Sequence, residues 1–431
     1  MPESQKTEPR QASHPAPPGS WPAARAAAQR LLTPVERFVS IEASSGILLL
    51  AAAVVALAWA NSPWRSAYEA VLHTHVGIRI GRLAFERPLH FWINEGLMAV
   101  FFFVVGLEIK RELHGGALSE IRRAALPVVA ALGGMLVPAG IYLLLNAGTP
   151  TAAGWGVPMA TDIAFAVGVL ALLGRRVPPS LRILLLTLAV IDDLGSIIVI
   201  ALFYSPGISV GGLAVAAAGL FVIVIMQKFG VRSAWAYLPP AIVTWAGTHA
   251  SGVHPTIAGV VLGLLTPVKA WLGPETISPA QRLEHGLHGL VAFLIMPVFA
   301  LANAGVTFEN VSLGGRGHSV LVGVVLGLVV GKPIGVLALA WLAVRARMAA
   351  LPAGVRWSGV LVVGLVAGIG FTMALFIASL AFPEGPMEDV AKLGVLLAST
   401  LAGLAGLIGG RFLLPGAPPS AAVRDRSDIG S

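Results

Sequence analysis

The stretch LRILLLTLAVIDDLGSIIVIALFY, residues 181–204, is apolar over almost its whole length and is long enough to cross a bilayer as one helix. Two adjacent carboxylates, Asp192 and Asp193, lie at its middle. A charged side chain at the centre of a membrane helix costs about 2.5 to 3.5 kcal/mol on insertion scales. Such residues are therefore expected to belong to an ion pathway or a proton relay.

The composition of the whole chain is that of a polytopic membrane protein. Of its 431 residues, 56% are hydrophobic and 12% are charged, and the mean hydropathy is +0.83. Soluble domains carry about 25% charged residues. We predict an all-α fold with about twelve transmembrane helices, each near the roughly 20 residues that a span needs. The predicted spans are 41–60, 90–112, 124–146, 152–174, 181–204, 209–227, 234–250, 254–268, 287–306, 318–344, 357–382 and 390–411.

The charges outside these spans predict the orientation of the chain. The net charge is +8, but most of the 29 lysines and arginines fall on one side of the predicted topology. This asymmetry follows the positive-inside rule and predicts that both termini are cytoplasmic. No soluble basic face is left to bind nucleic acid, so the expected partner is the lipid bilayer. The chain has no cysteine, which excludes disulfides and thiolate chemistry.

The segments outside the membrane domain are short. Residues 1–40 form a polar, Pro/Ala-rich N-terminal extension without the apolar core of a cleaved signal peptide, and 412–431 form a C-terminal tail. The membrane domain is expected at 41–411. Between the first two spans, residues 76–87 alternate in polarity around a Gly81-Arg82 turn, which predicts a short extracytoplasmic β-hairpin. This hairpin is either an ordered surface loop or an edge that forms a dimer.

Two of the predicted spans are interrupted. The fourth has a Gly/Pro-rich segment at 154–158, directly before Thr161 and Asp162. The residues expected at a second break, in the eleventh span, are Gly368, Gly370 and Thr372. Paired interruptions in the two halves of a chain indicate discontinuous helices around a transporter's binding site. The alternative is glycine used only for close packing of membrane helices.

The ionisable residues of the spans share one depth. Counted from the Arg175-Arg176 loop, Asp162 and the Asp192-Asp193 pair lie about 12 residues into their helices, or roughly 17–18 Å at 1.5 Å per residue. This depth is near the midplane of a core about 30 Å thick, and Lys332 lies at a similar depth in the tenth span. Four unpaired charges there would cost about 10–14 kcal/mol, so they must be paired or solvated in a cavity. A structural ion pair of Lys332 with one carboxylate leaves two carboxylates unexplained.

The surplus carboxylates indicate the chemistry. Burial and a neighbouring like charge each raise the pKa of a carboxyl group toward cellular pH. Such a group can bind a proton or a hard monovalent cation, but not both together, which is the minimum needed to exchange Na⁺ or Li⁺ for H⁺. Thr161, Asp162 and backbone carbonyls at the breaks supply further oxygens. Adjacent helix positions point about 100° apart, so one aspartate can face the cavity while the other faces Lys332.

Eight short motifs spread over the predicted spans are specific when taken together. They are ATDIAF at 160–165, IDDLG at 191–195, VGKPIG at 330–335, GIGFTM at 368–373, GLEIKRE at 106–112, SGVH at 251–254, RLEHGLH at 282–288 and FALANAG at 299–305. On these motifs the chain resembles the NhaA family of bacterial Na⁺/H⁺ antiporters from about residue 36 to 412. The resemblance implies twelve helices built from inverted repeats, with the fourth and eleventh broken. It also implies that no cofactor is needed beyond the transported ions.

The resemblance also implies roles for single residues. Asp193 is expected to be the principal carboxylate for Na⁺ or Li⁺. Asp192 is expected to alternate between ion or proton binding and a salt bridge to Lys332. Asp162 and Lys332 are expected to compensate the ends of the broken helices, with Thr161 beside the site.

The family further implies an electrogenic homodimer in the bacterial inner membrane, joined through the hairpin at 76–87. It is expected to export sodium in exchange for external protons, for pH and sodium homeostasis. The residues that match the cytoplasmic cluster associated with the family's pH response are Glu108, Arg111, Glu112, Glu284, His285 and His288. Histidines at a cationic span end titrate near neutrality, although solvated helix-end residues are the simpler interpretation.

Three other classes fit less well. A sodium-coupled symporter or a channel would share the apolar spans but would not couple to protons. An intramembrane aspartyl protease is expected to carry a Gly-x-Gly-Asp signature, which precedes no aspartate here, and has no use for Lys332. No Gly-rich phosphate loop is present, so neither an enzyme nor an ATP-driven pump is expected.

Overall fold

The computed structural model describes residues 44–80, 83–205, 207–268, 278–310 and 314–415. This part of the chain is predominantly helical and contains one two-stranded sheet. The N-terminal extension at 1–40, and the C-terminal tail from residue 416 onward, lie outside the described residues.

Fourteen helices and two strands are labelled in chain order. They are α1 (Ser44–Ala60), α2 (Arg65–His73), β1 (His75–Ile80), β2 (Leu83–Pro88), α3 (Leu89–Gly115), α4 (Ile121–Asn146), α5 (Ile163–Leu172), α6 (Pro179–Phe203), α7 (Val210–Lys228), α8 (Leu238–Ser251), α9 (Thr256–Leu265), α10 (Pro279–Asn303), α11 (Arg316–Arg345), α12 (Trp357–Ala367), α13 (Phe371–Ala381) and α14 (Pro386–Leu413). A 3₁₀ helix, Pro150–Met159, precedes α5.

Within the described residues, 7 helices are long and apolar enough to cross a membrane: α3, α4, α6, α7, α10, α11 and α14. Three bent pairs raise this number to 10 if each pair counts as one span. These pairs are α1 with α2 (114°), the 3₁₀ helix with α5 (45°), and α12 with α13 (48°). The chain is therefore a multi-pass membrane protein, as its composition predicts.

The predicted hairpin is present. Strands β1 and β2 pair antiparallel, with Val76 opposite Arg87, while the expected turn at 81–82 lies outside the described residues. The indole N–H of Trp92, in the first turns of α3, donates to the carbonyl oxygen of Val76 at 2.7 Å. The ring of Phe85 meets that of Trp92 edge-on at 5.6 Å. Aromatic contacts of this kind attach the hairpin to the helix that follows it.

Helices α4 and α11 are in backbone contact. A Cβ atom on Gly133 would overlap the carbonyl oxygen of Gly335, and a Cβ on Gly335 would overlap that of Gly133. Small residues permit this close approach between membrane helices. The aliphatic chain of Lys332 runs past Gly134, one position along from the same contact. The helix pair therefore holds the lysine in a fixed place inside the protein.

Both predicted breaks are present. The fourth span leaves its 3₁₀ helix at Met159, is extended at Asp162 and resumes as α5. The eleventh span ends α12 at Ala367 and resumes as α13 at Phe371, with the glycines of 368–370 between the two helices. The N–H of Asp162 donates to the carbonyl oxygen of Ile369 at 2.7 Å, so the two non-helical segments are bonded to each other.

Thr372 does not lie in the break, where the sequence places it. It is the second residue of α13. The backbone N–H of Thr372 is one of the first-turn donors that have no partner inside a helix, and here the Asp162 carboxylate accepts its hydrogen bond. This external acceptor lets the helix begin directly after Gly370.

We predict that Gly133→Ala destabilises the protein, because the added methyl group forces α4 and α11 apart. Overpacking of this kind costs about 1–3 kcal/mol. The matched control is Gly140→Ala in the same helix, where a Cβ meets nothing within 4 Å. Thermal unfolding in detergent checks this: the midpoint should fall for Gly133→Ala but not for Gly140→Ala. Equal midpoints would contradict the backbone contact.

Candidate ion-binding site

One carboxylate accepts hydrogen bonds from two helix N-termini at the crossing of the broken spans. Asp162 caps α5, with its Oδ1 accepting the N–H of Phe165 at 3.0 Å. Its Oδ2 accepts the N–H of Thr372 at 3.1 Å and the hydroxyl of the same residue at 2.5 Å. The N-terminus of a helix carries a partial positive charge, and here two of them meet inside the protein. The negative charge of Asp162 therefore stabilises both ends together.

One ammonium group compensates a helix C-terminus. Nζ of Lys332 donates to the carbonyl oxygen of Met159, the last residue of the 3₁₀ helix. The same nitrogen lies 3.0 Å from Oδ2 of Asp192. Both side chains of this ion pair are 0% exposed. A buried pair is stable only with further hydrogen bonds, and the Met159 carbonyl supplies one.

The remaining helix end at the crossing, the C-terminus of α12, also has a polar partner, and the N-terminus of α13 has a second one. Oγ1 of Thr161 lies 2.7 Å from Oδ2 of Asp192 and 3.0 Å from the carbonyl oxygen of Ala367, the last residue of α12. The N–H of Phe371, at the start of α13, donates to the hydroxyl oxygen of Ser399 in α14 at 3.0 Å. All four ends created by the two breaks are therefore satisfied by side chains.

Asp193 faces a different environment from its neighbour. It lines a cavity of about 60 Å³, whereas Asp192 is held by Lys332 and Thr161. The polar residues on the cavity wall are Glu108, Thr161, Asp162, Asp193, His288 and Thr372. The two aspartates thus point to different neighbours, as expected of adjacent positions on a helix.

Two carboxylate oxygens of α6 have no hydrogen-bond partner within the described part of the chain. These are Oδ1 of Asp192 and Oδ1 of Asp193, and both are buried. Buried polar atoms are usually paired with protein, water or an ion. Carboxylate and hydroxyl oxygens are suitable ligands for a hard cation, and Thr161, Asp162 and Thr372 share the cavity wall with Asp193. The arrangement can bind a proton or a small cation at Asp193.

The six residues matched to the pH response are connected through Arg111 and Glu284, which between them interact electrostatically with the other four. Arg111 of α3 pairs with Glu284 of α10, and this ion pair links the two helices; another guanidinium nitrogen of Arg111 lies 3.4 Å from Glu112. Glu108 and His288 also line the cavity that contains Asp193. His285 is exposed, and its Nδ1 lies 2.7 Å from the carbonyl oxygen of Gln281 in its own helix.

Three polar residues at buried contacts are missing from the sequence-based site. Ser399 completes the crossing, and Asn94 and Asn303 exchange hydrogen bonds between α3 and α10, one of them at 2.8 Å. Each stands within or at the end of an apolar span, which is the signal that could have identified it. Serine and asparagine are common enough in membrane helices that their partners are visible only in three dimensions.

The family model and the similar proteins all identify the same family of Na⁺/H⁺ antiporters. A family model described as Na⁺/H⁺ antiporter 1 matches residues 36–409. The Na⁺/H⁺ antiporter NhaA 2 of Myxococcus xanthus is 53% identical, covering 95% of this chain and 97% of that protein. A protein of the same name from Sorangium cellulosum is 53% identical over 93% and 94% of the two chains. The Na⁺/H⁺ antiporter NhaA of an Acidovorax species is 53% identical over 91% and 95%.

We predict that Lys332→Gln lowers the thermal unfolding midpoint in detergent, because Asp192 loses its counter-charge and Met159 loses its charged donor. Removing one partner of a buried ion pair costs about 3–5 kcal/mol. The double variant Asp192→Asn/Lys332→Gln should regain part of this loss, since no uncompensated charge remains. Lys228→Gln, at an exposed lysine, is the control. A Lys332→Gln midpoint equal to that of the wild type would contradict the pairing.

Proposed function

Because the chain belongs to the Na⁺/H⁺ antiporter 1 family, we propose that its exchange reaction takes place at Asp193, with Asp192 and Lys332 as a coupled pair beside it. The chain is a Na⁺/H⁺ antiporter of the membrane. One observation carries the assignment of the site. Asp193 lies on the cavity wall with a carboxylate oxygen that has no partner among the described residues, whereas Asp192 is bound by Lys332.

Exchange follows from competition for this oxygen. A proton on Asp193 removes the negative charge that attracts a cation, and a bound cation repels the proton. The carboxylate therefore carries one or the other across the membrane. The ligands are hard oxygens, which accept both Na⁺ and Li⁺ as transported substrates. Thr161 and Asp162 lie beside Asp193 and can complete the shell of the ion.

Asp192 supplies the second step of the cycle. When it turns from Lys332 to the cation, the ammonium group loses its carboxylate partner and keeps only the Met159 carbonyl. An ammonium group without a carboxylate partner is unstable in this layer, so Lys332 releases its proton while Asp192 binds the cation. Together with the proton released by Asp193, more than one proton then moves for each cation, and exchange carries net charge. Moving one elementary charge across the membrane releases about 2.3 kcal/mol of free energy per 100 mV of membrane potential. This free energy can drive sodium export.

The cavity lies toward the cytoplasmic ends of its helices. Its wall includes Glu108 and His288. These residues lie near Arg111 and Arg282, at the helix ends that the positive-inside rule assigns to the cytoplasm. The cavity is therefore the inner access path, and both termini are cytoplasmic. The inward driving force on protons then moves sodium out of the cell in exchange for external protons. The expected location is the bacterial inner membrane.

The same cytoplasmic end supports a role in the pH response. The ion pair of Arg111 and Glu284 joins α3 to α10, and both helices contribute to the cavity wall. A change in protonation at this end would alter the distance between the two helices and the charge near Asp193. Glu108, Glu112, His285 and His288 are the other groups that could contribute.

Two features support twelve crossings built from inverted repeats. Helices α8 and α9 are short, and counting each as a crossing brings the described helices to the number that the sequence predicts. The broken spans bend by similar angles, 45° and 48°, and bond to each other at their breaks. The hairpin at 76–87 presents two edge strands, which can pair with a second copy of the chain to form a homodimer.

We predict that Asp193→Asn abolishes cation-dependent proton exchange, because asparagine has the same size but cannot carry a proton between the two sides. Everted vesicles with an acid interior, monitored with a fluorescent pH probe, give the measurement. Wild-type vesicles should lose the gradient when Na⁺ or Li⁺ is added, and Asp193→Asn vesicles should keep it.

The control is Glu309→Gln, which makes the same charge change at an exposed carboxylate and should exchange normally. Undiminished exchange by Asp193→Asn would refute the assignment of the site. Proton loss that needs neither Na⁺ nor Li⁺ would contradict competition at one carboxylate.

A further inference from the structure

A third buried oxygen without a partner lies close to the two aspartates in sequence. Oγ of Ser196 accepts and donates no hydrogen bond among the described residues, and the residue is 3% exposed. The other two are Oδ1 of Asp192 and Oδ1 of Asp193. All three belong to one stretch of α6, a little more than one helical turn long.

Helix geometry places Ser196 between the aspartates. At about 100° per residue, it lies roughly 40° from Asp192 and roughly 60° from Asp193 around the axis, on the arc that separates them. It is one turn nearer to the Phe203 end of α6. Because Cα–Cβ bonds tilt toward the N-terminus of a helix, its side chain leans back toward the aspartates.

The Ser196 hydroxyl lacks the bond that helical serines commonly form. Serine and threonine within helices commonly donate to a carbonyl three or four residues earlier. Three other hydroxyls of the membrane helices do so: Thr244 donates to Pro240, Thr248 to Thr244 and Ser379 to Phe376. Ser196 departs from this pattern in the same stretch of α6 that carries Oδ1 of Asp192 and Oδ1 of Asp193.

We infer that Ser196 is a further ligand of the transported cation. This inference rests on the proposed function, since it requires that the cation bind at Asp193. The hydroxyl supplies a neutral, hard oxygen on the side of the aspartates that faces the Phe203 end of the helix. A proton needs only one carboxylate oxygen, so Ser196 strengthens cation binding without strengthening protonation.

The same oxygen distinguishes between the two cations. Na⁺ is larger than Li⁺ and is better satisfied by an additional ligand, whereas Li⁺ is held closely by fewer oxygens. Ser196 therefore contributes more to the binding of Na⁺ than to that of Li⁺. It acts on affinity and ion preference rather than on the rate of the loaded carrier.

The test compares Ser196→Ala and Ser196→Thr with the wild type in everted vesicles. For Ser196→Ala we expect the apparent KM for Na⁺ to rise about tenfold, on the order of one lost hydrogen bond to a charged group. The KM for Li⁺ should rise less, and the maximal rate should stay unchanged. Ser196→Thr keeps the hydroxyl and should keep a KM close to that of the wild type. The matched control is Ser379→Ala, whose hydroxyl already has a backbone partner.

A second readout measures binding without transport. Na⁺ should raise the thermal unfolding midpoint of the purified wild-type protein, and this shift should need about tenfold more Na⁺ in Ser196→Ala. An unchanged KM in Ser196→Ala, or an equal rise in Ser196→Ala and Ser196→Thr, would overturn the inference. So would a loss of maximal rate at constant KM. If Asp193→Asn still exchanges, the proposed site itself fails, whatever Ser196→Ala shows.

Discussion

Charges buried in the middle of a membrane protein must be neutralised locally, and this requirement governs the centre of the structure. Two helices are broken at the same place, which creates two partly positive and two partly negative ends. Asp162 accepts hydrogen bonds from both N-terminal ends, and Lys332 donates to the carbonyl oxygen at one C-terminal end. Without these two side chains, polar backbone groups at three of the four helix ends would lose a hydrogen bond inside the protein, which is costly.

The same requirement explains why the site is suited to transport. Lys332 forms an ion pair with Asp192, and Asp162 is engaged by the two helix ends, which leaves Asp193 as the aspartate on the cavity wall that neither of these interactions neutralises. A structural network would pair every charge. In the part of the chain that the structure describes, one carboxylate oxygen of Asp193 instead has no partner, and Asp192 can exchange one partner for another. The surplus charge is therefore the part of the layer that can bind and release ions.

Much of this layer can be predicted from the sequence, because depth in a membrane helix follows from counting residues. Counting placed Asp162, Asp192, Asp193 and Lys332 together, and Gly/Pro interruptions indicated both breaks. The alternation at 76–87 predicted the hairpin. The partners could not be predicted in this way. That Lys332 also contacts the Met159 carbonyl, or that Ser399 accepts the N–H of Phe371, depends on how four helices cross. Thr372 was misplaced for the same reason, since its helix begins where Asp162 supplies an acceptor from another span.

The protonation of Asp193 itself can be measured directly. Infrared difference spectroscopy on the purified protein, recorded on adding Na⁺ at constant pH, detects the C=O stretch of a protonated carboxyl group. If the cation and the proton compete for Asp193, Na⁺ should remove such a band, Li⁺ should do the same, and the change should be missing in Asp193→Asn. A sodium-induced change that persists in Asp193→Asn, or saturating Na⁺ that leaves the carboxyl band of the wild type unaltered, would contradict competition between cation and proton at this residue.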